Sequence, residues 1–213
     1  MRFQDKVAIV TGAGQGIGEG YALAAEGARV VVAELSEEQG QRVAKEIGNA
    51  LFVKVDVSDP ASAQALADTV IRESGRVDHL VNNAAIFHDM RREGLVNVDY
   101  DYLDRFLKVN LLGALYCTRA VLPHLQEGAA IVNQSSTAAW SATGFYGLAK
   151  AGINHLTVSL AAELGDRGIR VNAIAPGPTD TEATRHIMPQ DYREAMVRAF
   201  PLILAFKAQG AVT

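Results

Sequence analysis

Short runs of apolar, mostly β-branched residues alternate along this chain with longer stretches rich in alanine and leucine. Each run is continuous rather than alternating with polar residues, which is typical of parallel strands covered by helices on both faces. Between the runs, apolar residues recur at helical spacing, as in residues 64–71 and 149–164. The pattern predicts an α/β fold with a doubly wound parallel sheet in three layers. The runs are residues 7–10, 30–33, 51–53, 80–81, 130–132 and 171–174.

The length and composition indicate one folded domain over residues 1–213, because no repeat, charge block or linker divides the chain. With 49% hydrophobic and 21% charged residues the chain can bury a core, which excludes a disordered protein. The net charge of −4 offers no excess of basic residues for a phosphate backbone, so we expect no nucleic-acid partner. No apolar stretch suits a secretory signal or membrane span, and the single Cys117 cannot form an internal disulfide. We therefore expect a cytoplasmic protein without membrane contact.

Ligands of doubly wound sheets bind beyond the carboxyl ends of the strands, so the residues that follow each run are the candidate site residues. The first run leads into residues 11–18, TGAGQGIG, and then into a predicted helix. Glycines there let the backbone turn tightly and approach a pyrophosphate, whose charge lies at the helix N-terminus. An ordinary glycine-rich turn is the alternative, but the position between the first strand and the first helix favours a dinucleotide site.

Acidic or amide side chains follow the next three runs. Glu34 could accept hydrogen bonds from the ribose hydroxyls of an adenosine and would repel a 2′-phosphate. Asp56, beside Val57, could reach an adenine amino group. The alternatives are a solvated residue at a helix start for Glu34 and a turn residue for Asp56. Residues 82–85, NNAA, are small enough for a flat ring to lie close to the backbone.

Tyr146 and Lys150 lie four residues apart at the start of a predicted helix, so both project from the same face. A phenol with a pKa of about 10 is a poor base at neutral pH, but a nearby ammonium favours the phenolate. Ser135 and Ser136 end the strand upstream, and a hydroxyl there could hold a substrate oxygen while the proton moves. A packed tyrosine beside a surface lysine is the alternative interpretation of the pair taken alone.

The order and neighbourhood of these motifs resemble those of the short-chain dehydrogenase/reductase family, from about residue 5 to about residue 201. The resemblance rests on residues 11–18 and 82–85, Asn110, Ser136, Tyr146 with Lys150, and Pro176 with Gly177. It implies a Rossmann-like enzyme that interconverts a secondary alcohol, such as a cyclic alcohol or a diol, and a ketone by hydride transfer. The implied cofactor is NAD in preference to NADP, and the implied assembly is a homodimer or homotetramer.

The resemblance also implies a role for each site residue. Tyr146 would be the general acid/base, and Lys150 would lower the pKa of Tyr146 and bind the nicotinamide ribose. Ser136 would orient the substrate, and Asn110 would hold a water that links Lys150 to solvent. No metal is expected, because the five histidines share no ligand spacing. Besides Tyr146 and Lys150, the cofactor would contact Gly12, Gln15, Gly16, Ile17, Gly18, Glu34, Asp56, Val57, Asn83, Ala84, Ala85, Pro176, Gly177 and Thr179.

Several departures from the family pattern affect these expectations. Ser136 lies ten residues before Tyr146, about three fewer than is common, so residues 137–145 must form a tight loop. Ser135 is then the alternative substrate-orienting residue, with Ser141 and Thr143 as weaker ones. The first helix is about two residues short, which affects the register of Glu34. NNAA replaces the usual NNAG, a mild change.

The C-terminal part departs most. After residue 202 the family usually continues with a helix, a seventh strand and a tail, which are not recognisable here. We therefore expect the sixth strand to be an edge that another chain, residues 203–206 or further residues would cover. Residues 181–199 would form part of a lid over the substrate. Two other classes remain open at this point: an NAD-binding protein of the same fold with impaired catalysis, and a Rossmann-like methyltransferase.

Overall fold

The computed structural model describes residues 1–24, 26–187 and 190–191. Within these ranges, six parallel strands form one sheet in the order β3-β2-β1-β4-β5-β6. The doubly wound parallel sheet is therefore confirmed, and every predicted apolar run lies in a strand. The strands are β1 (Val7–Thr11), β2 (Arg29–Glu34), β3 (Ala50–Lys54), β4 (Val77–Asn82), β5 (Leu125–Gln134) and β6 (Arg170–Ile174).

The helices of the described residues begin at residues suited to that position. Ser36 accepts a hydrogen bond from the Gln39 backbone N–H at the start of α2, and Asp59 caps α3 in the same way, with Pro60 in its first turn. A π-helical turn, Lys108–Leu112, joins α4 to α5. The helices are α1 (Gly16–Leu23), α2 (Glu37–Ile47), α3 (Pro60–Ser74), α4 (Tyr100–Leu107), α5 (Gly113–Val121), α6 (Gly144–Leu164) and α7 (Glu182–Ile187).

Consecutive residues of the central strands belong to different hydrophobic clusters. Ile9 and Val31 pack with residues of α3, α5 and α6, whereas their neighbours Val10 and Val32 pack with residues of α1 and α2. Successive side chains of a strand point to opposite faces of a sheet, so a strand covered on both faces has no polar positions. This two-sided burial is why the apolar runs are continuous.

Strand β6 pairs with β5 and forms one edge of the sheet within the described residues. Val171 of this strand is buried, whereas Ile174 is 44% exposed. Residues 203–206, which we expect as one possible cover, lie outside the described residues. No helix of the described ranges is long and apolar enough to cross a membrane.

Candidate functional site

The loop after β1 and the segment after β4 are bound tightly together at the carboxyl edge of the sheet. Gly12 has φ +63°, and a Cβ there would lie 2.7 Å from the Ala84 Cα, so only glycine fits. The Asn83 side-chain amide donates to the carbonyls of Thr11 and Gly12, both at 3.0 Å. The Thr11 hydroxyl in turn accepts from the backbone N–H groups of Asn83 and Ala84. Asn83 thus fixes the glycine loop in place.

Helix α1 begins at Gly16, directly after this loop, and no side chain caps its first amides. Those amides are therefore available to an anion. A Cβ on Gly18 would collide with the Gly12 carbonyl oxygen, so the loop closes on the helix only with glycine at this position. Gln15 is exposed and Ile17 is partly buried. This cradle fits the pyrophosphate of a dinucleotide.

Glu34 ends β2 beside the glycine loop. Its carboxylate accepts hydrogen bonds from the backbone N–H groups of Gly14 at 2.9 Å, Leu35 at 2.8 Å and Ser36 at 3.1 Å. The short first helix has therefore not displaced Glu34 from the strand tip. Three fixed donors hold a negative charge where the loop and β2 meet.

Arg42 of α2 also reaches the glycine loop, which sequence reasoning missed. Its guanidinium donates to the Gly14 carbonyl oxygen at 2.9 Å and forms a salt bridge with Glu19 at 2.8 Å. The sequence feature that could have indicated this contact is the position of Arg42 on the second turn of α2, on the side that faces the loop. Its charge is compensated by Glu19 in this arrangement.

Asp56 and Val57 follow the end of β3 by two and three residues. The Asp56 carboxylate is exposed and accepts from the Ser58 backbone N–H at 2.9 Å and the Ser58 hydroxyl at 2.6 Å. Val57 is buried in the core, and a Cβ on Gly113 would lie 2.9 Å from its side chain. Both residues lie where β3 reaches the carboxyl edge.

Ser136 is held between two strand ends. The parallel pairing of β5 and β6 continues past both strands, because Ser135 N donates to the Ile174 carbonyl at 2.8 Å and Thr137 N to the Pro176 carbonyl at 3.0 Å. The Ser136 hydroxyl accepts from the Ala138 N–H at 3.2 Å and lies close enough to the Tyr146 phenol to lower its pKa.

The other candidate hydroxyls face elsewhere. The buried Ser135 hydroxyl donates to the Lys150 backbone carbonyl at 3.3 Å, and that of Thr143 donates to the Ala138 carbonyl at 3.0 Å. A 3₁₀ turn, Thr137–Trp140, shortens the loop so that α6 begins at Gly144. Of the two serines at the strand end, Ser136 is thus the one against Tyr146.

Tyr146 and Lys150 project together from the first turns of α6. Lys150 is 3% exposed, its ammonium donates to the Gln134 backbone carbonyl at 2.7 Å, and its Nζ lies 5.8 Å from the Tyr146 ring centroid. Burial disfavours both charged forms, so it lowers the pKa of Lys150 to about 8 and raises that of Tyr146. The hydrogen bond from Ser136 opposes the rise in the pKa of Tyr146.

Asn110 lies in the π-helical turn between α4 and α5, a local geometry that is frequent at functional sites. Its side-chain oxygen accepts from the Ile86 N–H at 2.7 Å, and its amide nitrogen donates to the Ile86 carbonyl at 3.1 Å. Asn110 and Lys150 border the same small cavity. Ala85, in the segment that leads to Ile86, is exposed.

The segment after β6 brings a further residue to the glycine loop. Thr179 donates to the Gly177 carbonyl at 3.1 Å, whereas the buried Thr181 caps α7 by accepting from the Thr184 N–H at 3.2 Å. Thr181 packs beside Gly16, since a Cβ on that glycine would lie 3.7 Å from its methyl group. The sequence predicts Pro176, Gly177 and Thr179 as the cofactor contacts of this segment and does not include Thr181, although a threonine before Glu182 is a helix-start signal. Of the expected lid, residues 181–199, only 181–187 and 190–191 are described.

A cavity of about 600 Å³ opens between the glycine loop and the segment after β6, bordered by Gly14, Gln15, Gly16, Asp180, Thr181 and Arg185 among others.

No group of three or more His, Cys, Asp or Glu side chains that could hold a metal is found in the described part of the chain. Cys117 is buried in the core, where burial raises its pKa to about 12, so it is no nucleophile.

Comparisons with known proteins agree with this geometry. A family model described as enoyl-(acyl carrier protein) reductase matches residues 12–208. An uncharacterized oxidoreductase of Mycobacterium tuberculosis is 54% identical over 208 residues, which cover 94% of this chain and 84% of that protein. A meso-2,3-butanediol dehydrogenase of Serratia marcescens is 34% identical over 203 residues, 91% of this chain and 79% of that protein. A short-chain dehydrogenase of Burkholderia cenocepacia, solved in complex with NADP, has a TM-score of 0.80 and 38% identity, covering 86% of this chain and 78% of that one.

Proposed function

The chain belongs to the short-chain dehydrogenase/reductase family, whose members are oxidoreductases that use a nicotinamide cofactor, and we propose that it interconverts a secondary alcohol and a ketone. One observation carries the proposal: Ser136, Tyr146 and Lys150 lie together at the carboxyl edge of the sheet, the edge that also carries the glycine loop. Family membership excludes the methyltransferase alternative.

In the proposed mechanism Tyr146 moves the proton. As a phenolate, Tyr146 takes the hydroxyl proton of an alcohol and becomes the phenol; in the reverse direction the phenol gives that proton to the oxygen of a ketone, while Ser136 holds the same substrate oxygen by a hydrogen bond. The Lys150 ammonium, close to the Tyr146 ring, stabilises the phenolate form. Bound NAD supplies the acceptor for the substrate's hydride. Asn110 holds a water through which Lys150 exchanges protons with solvent.

The cofactor is held, in this proposal, along the carboxyl edge of the sheet. The free amides at the start of α1 bind its pyrophosphate, and Lys150 binds the nicotinamide ribose. Asp56 and Val57 border the adenine, and the small residues Ala84 and Ala85 let the ring lie close to the backbone. The further contacts are those of Gly12, Gln15, Gly16, Ile17, Gly18, Asn83, Pro176, Gly177 and Thr179, with Thr181 added from its position beside Gly16.

We propose NAD rather than NADP as the preferred cofactor. Glu34 places a carboxylate, fixed by the Gly14, Leu35 and Ser36 amides, where a 2′-phosphate would otherwise lie. Arg42 is close, but its charge is paired with Glu19. The similar Burkholderia protein was solved in complex with NADP, so kcat/KM must be measured with both cofactors to test this preference.

The substrate we propose is a secondary alcohol with an apolar substituent, such as a cyclic alcohol or a diol. Phe87 stacks at a tilt against Tyr146 with ring centroids 5.5 Å apart, so it offers an apolar wall beside the reacting hydroxyl. The Tyr146 ring also contacts a cluster that includes Phe106 and Phe145. The Serratia relative is named for a diol, which supports including diols.

The enzyme is proposed to be a single cytoplasmic domain that assembles as a homodimer or homotetramer. The single cysteine suits a reducing compartment. On α6, Leu148 is 51% exposed and Val158 is 66% exposed, and the two lie on one side of the helix with the exposed Ala151. Self-association would remove this apolar surface from water.

A dehydrogenase screen tests the proposed reaction. Purified protein with NAD is offered cyclic alcohols, diols, steroid alcohols and 3-hydroxyacyl compounds, and NADH is read by its absorbance. We expect turnover with at least one class, and turnover lower by about 10²–10⁴-fold in the Tyr146→Phe variant. Binding of NAD without turnover of any alcohol, or of any corresponding ketone with NADH, would favour the catalytically impaired alternative.

A further inference from the structure

A carboxylate lies in the first turn of α1, the helix whose free amides we propose as the pyrophosphate site. Glu19 is the acidic residue of that turn, and it borders the same cavity as Gly14, Gln15 and Gly16 of the glycine loop. A negative charge near a helix N-terminus stabilises the helix, because it complements the partial positive charge there. The same charge repels an anionic ligand that binds at that end of the helix. Glu19 therefore needs a counter-ion if a pyrophosphate is to bind beside it.

Arg42 of α2 is that counter-ion. Its Nη1 lies 2.8 Å from the Glu19 carboxylate, and its Nη2 donates to the Gly14 carbonyl oxygen at 2.9 Å. The contact with Gly14 holds the guanidinium against the glycine loop, so its charge stays beside the amides of α1. Glu46, one turn further along α2, is a weaker partner at 3.5 Å. The Arg42 side chain is 51% exposed and that of Glu19 22%, so the pair is open to screening by salt.

The cavity of about 600 Å³ beside the glycine loop carries an excess of negative charge. Three carboxylates and two guanidinium groups border it, a net charge of −1, from Glu19, Asp180, Glu182, Arg42 and Arg185. Arg185 donates to Asp180 through two hydrogen bonds of 2.7 Å, so these two charges cancel. Among the described residues that border the cavity, Arg42 is then the one cation left to balance Glu19 and Glu182. Without Arg42 the net charge would be −2, next to a pyrophosphate that is itself a dianion.

We propose that Arg42 is a positioning residue for the cofactor and that it acts through Glu19. It cancels the charge of Glu19 and thereby lets the diphosphate of the cofactor bind at the start of α1. The inference rests on the proposed position of the pyrophosphate and on no step of the proposed alcohol reaction. The alternative is a purely structural role, in which Arg42 only holds the loop through the Gly14 carbonyl.

Arg42→Gln, Glu19→Gln and the double variant separate the two roles. The readout is the Kd for NAD, measured by titration calorimetry at low ionic strength without any alcohol or ketone. We expect Arg42→Gln to raise this Kd about 5–20-fold, the effect of one charge on a dianion at roughly 5–8 Å in water. Glu19→Gln should lower the Kd by a similar factor, and the double variant should bind NAD like the unsubstituted protein, because the two charge changes cancel.

Arg72→Gln is the matched control. Arg72 is also an exposed arginine paired with a glutamate, at 3.1 Å from Glu73, but it lies in the last turn of α3, away from the glycine loop. Its substitution removes the same charge from the protein as Arg42→Gln does. We expect the Kd for NAD to stay unchanged in Arg72→Gln, since the two sites are far enough apart for salt to screen them.

Salt and a ligand without phosphate supply two further readouts. At about 1 M salt the screening length falls to about 3 Å, so the loss in Arg42→Gln should largely disappear. The Kd for adenosine, measured by NMR titration, should be the same in Arg42→Gln and in the unsubstituted protein. Equal losses for adenosine and NAD, or a defect of Arg42→Gln that Glu19→Gln does not reverse, would overturn the proposal in favour of the structural role. An unchanged Kd for NAD in Arg42→Gln would refute both roles.

The outcome depends neither on the folding of one variant nor on turnover. If Arg42→Gln does not fold, Glu19→Gln alone decides, because charge compensation requires that this variant binds NAD more tightly. A Kd in Glu19→Gln that is no lower than in the unsubstituted protein would then contradict the proposal. An enzyme that binds NAD as expected but oxidises no alcohol would refute the proposed reaction and leave the role of Arg42 standing.

Discussion

The Lys150 ammonium donates to the backbone carbonyl oxygen of Gln134 at 2.7 Å, although Lys150 is almost fully buried. A neutral carbonyl is thus the hydrogen-bond partner of a buried cation, and the pKa of Lys150 falls to about 8 because burial penalises the charge. The same hydrogen bond connects the first turns of α6 to Gln134, the last residue of β5. Ser136 follows Gln134 by two residues. Lys150 is therefore in the right place for chemistry and in an unfavourable place for stability.

Lys150→Met is expected to stabilise the protein at pH 7 while it abolishes turnover. The pKa of Lys150 drops from 10.5 in the unfolded chain to about 8 in the folded one, so below pH 8 folding carries the full cost of burying the charge. Removing the charge should raise the free energy of unfolding by about 1–3 kcal/mol. This figure allows for the hydrogen bond that the Gln134 carbonyl loses.

The sign of the pH dependence checks this explanation. Between pH 8 and 10.5 the unfolded chain binds the Lys150 proton and the folded one does not, so the original protein gains stability as the pH rises. The advantage of Lys150→Met should hold from pH 6 to 8 and shrink by pH 9, as followed by urea unfolding. A constant advantage at all pH values would mean that packing, not charge, is responsible.

Ser136→Ala and Ser135→Ala should separate the two neighbouring serines. The Ser136 hydroxyl lies beside the Tyr146 phenol and lowers its pKa, whereas that of Ser135 donates to the Lys150 backbone carbonyl. We expect kcat to fall about 10²–10³-fold in Ser136→Ala, the effect of losing one donor to a reacting oxygen. Ser135→Ala should mainly cost about 1 kcal/mol of stability. Steady-state kinetics and thermal unfolding of both variants provide the measurement, and a larger loss of kcat in Ser135→Ala would reverse the assignment.

The cofactor preference depends on Glu34. The protein should show a higher kcat/KM for NAD than for NADP, and Glu34→Ala should lower that for NAD about 10–100-fold by removing a charged hydrogen-bond acceptor. The same substitution should raise kcat/KM for NADP, because the repulsion between Glu34 and the 2′-phosphate disappears. Glu37→Ala, three residues on in the first turn of α2, is the matched control for the loss of one carboxylate. Equal values for the two cofactors in the unsubstituted protein would show that Glu34 does not contact the ribose.

Self-association should depend on the exposed apolar side of α6. Leu148→Glu combined with Val158→Glu places two charges on this surface without touching the buried side of the helix. We expect light scattering to show a dimer or tetramer for the unsubstituted protein and a smaller species for the double variant. Glu163→Gln, an exposed polar change on the same helix, serves as control. A stable monomer before substitution would contradict the proposed assembly.

The sequence predicted the sheet well because the central strands are buried on both faces, so that neighbouring residues such as Ile9 and Val10 are both apolar. It also predicted that Glu34 and the glycine loop lie together, since both follow strands at the same edge of the sheet. It did not reveal Arg42, Thr181 or the π-helical turn around Asn110. These features depend on side-chain reach and on local irregularity, which periodicity does not encode.

The buried bond from Asn82 to Asn133 was equally hidden, because 51 residues of sequence separate its partners. A pattern of apolar residues identifies strands but not which polar positions within them face each other. The roles of Ser136 and Ser135 were open for a related reason: the shortened loop before α6 changed the usual spacing, and only the 3₁₀ turn at Thr137–Trp140 shows how the difference is absorbed.

The most direct test of the proposed chemistry is a comparison of NAD binding and turnover in the unsubstituted protein and in Tyr146→Phe. Phenylalanine preserves the packing of the ring against Phe87 but carries no exchangeable proton. With an alcohol identified by the screen, we expect the Kd for NAD to change less than about threefold and kcat to fall at least about 10²–10⁴-fold, the scale of general acid–base catalysis. Near-normal kcat in Tyr146→Phe, with NAD binding intact, would contradict the assignment of Tyr146 as the acid/base.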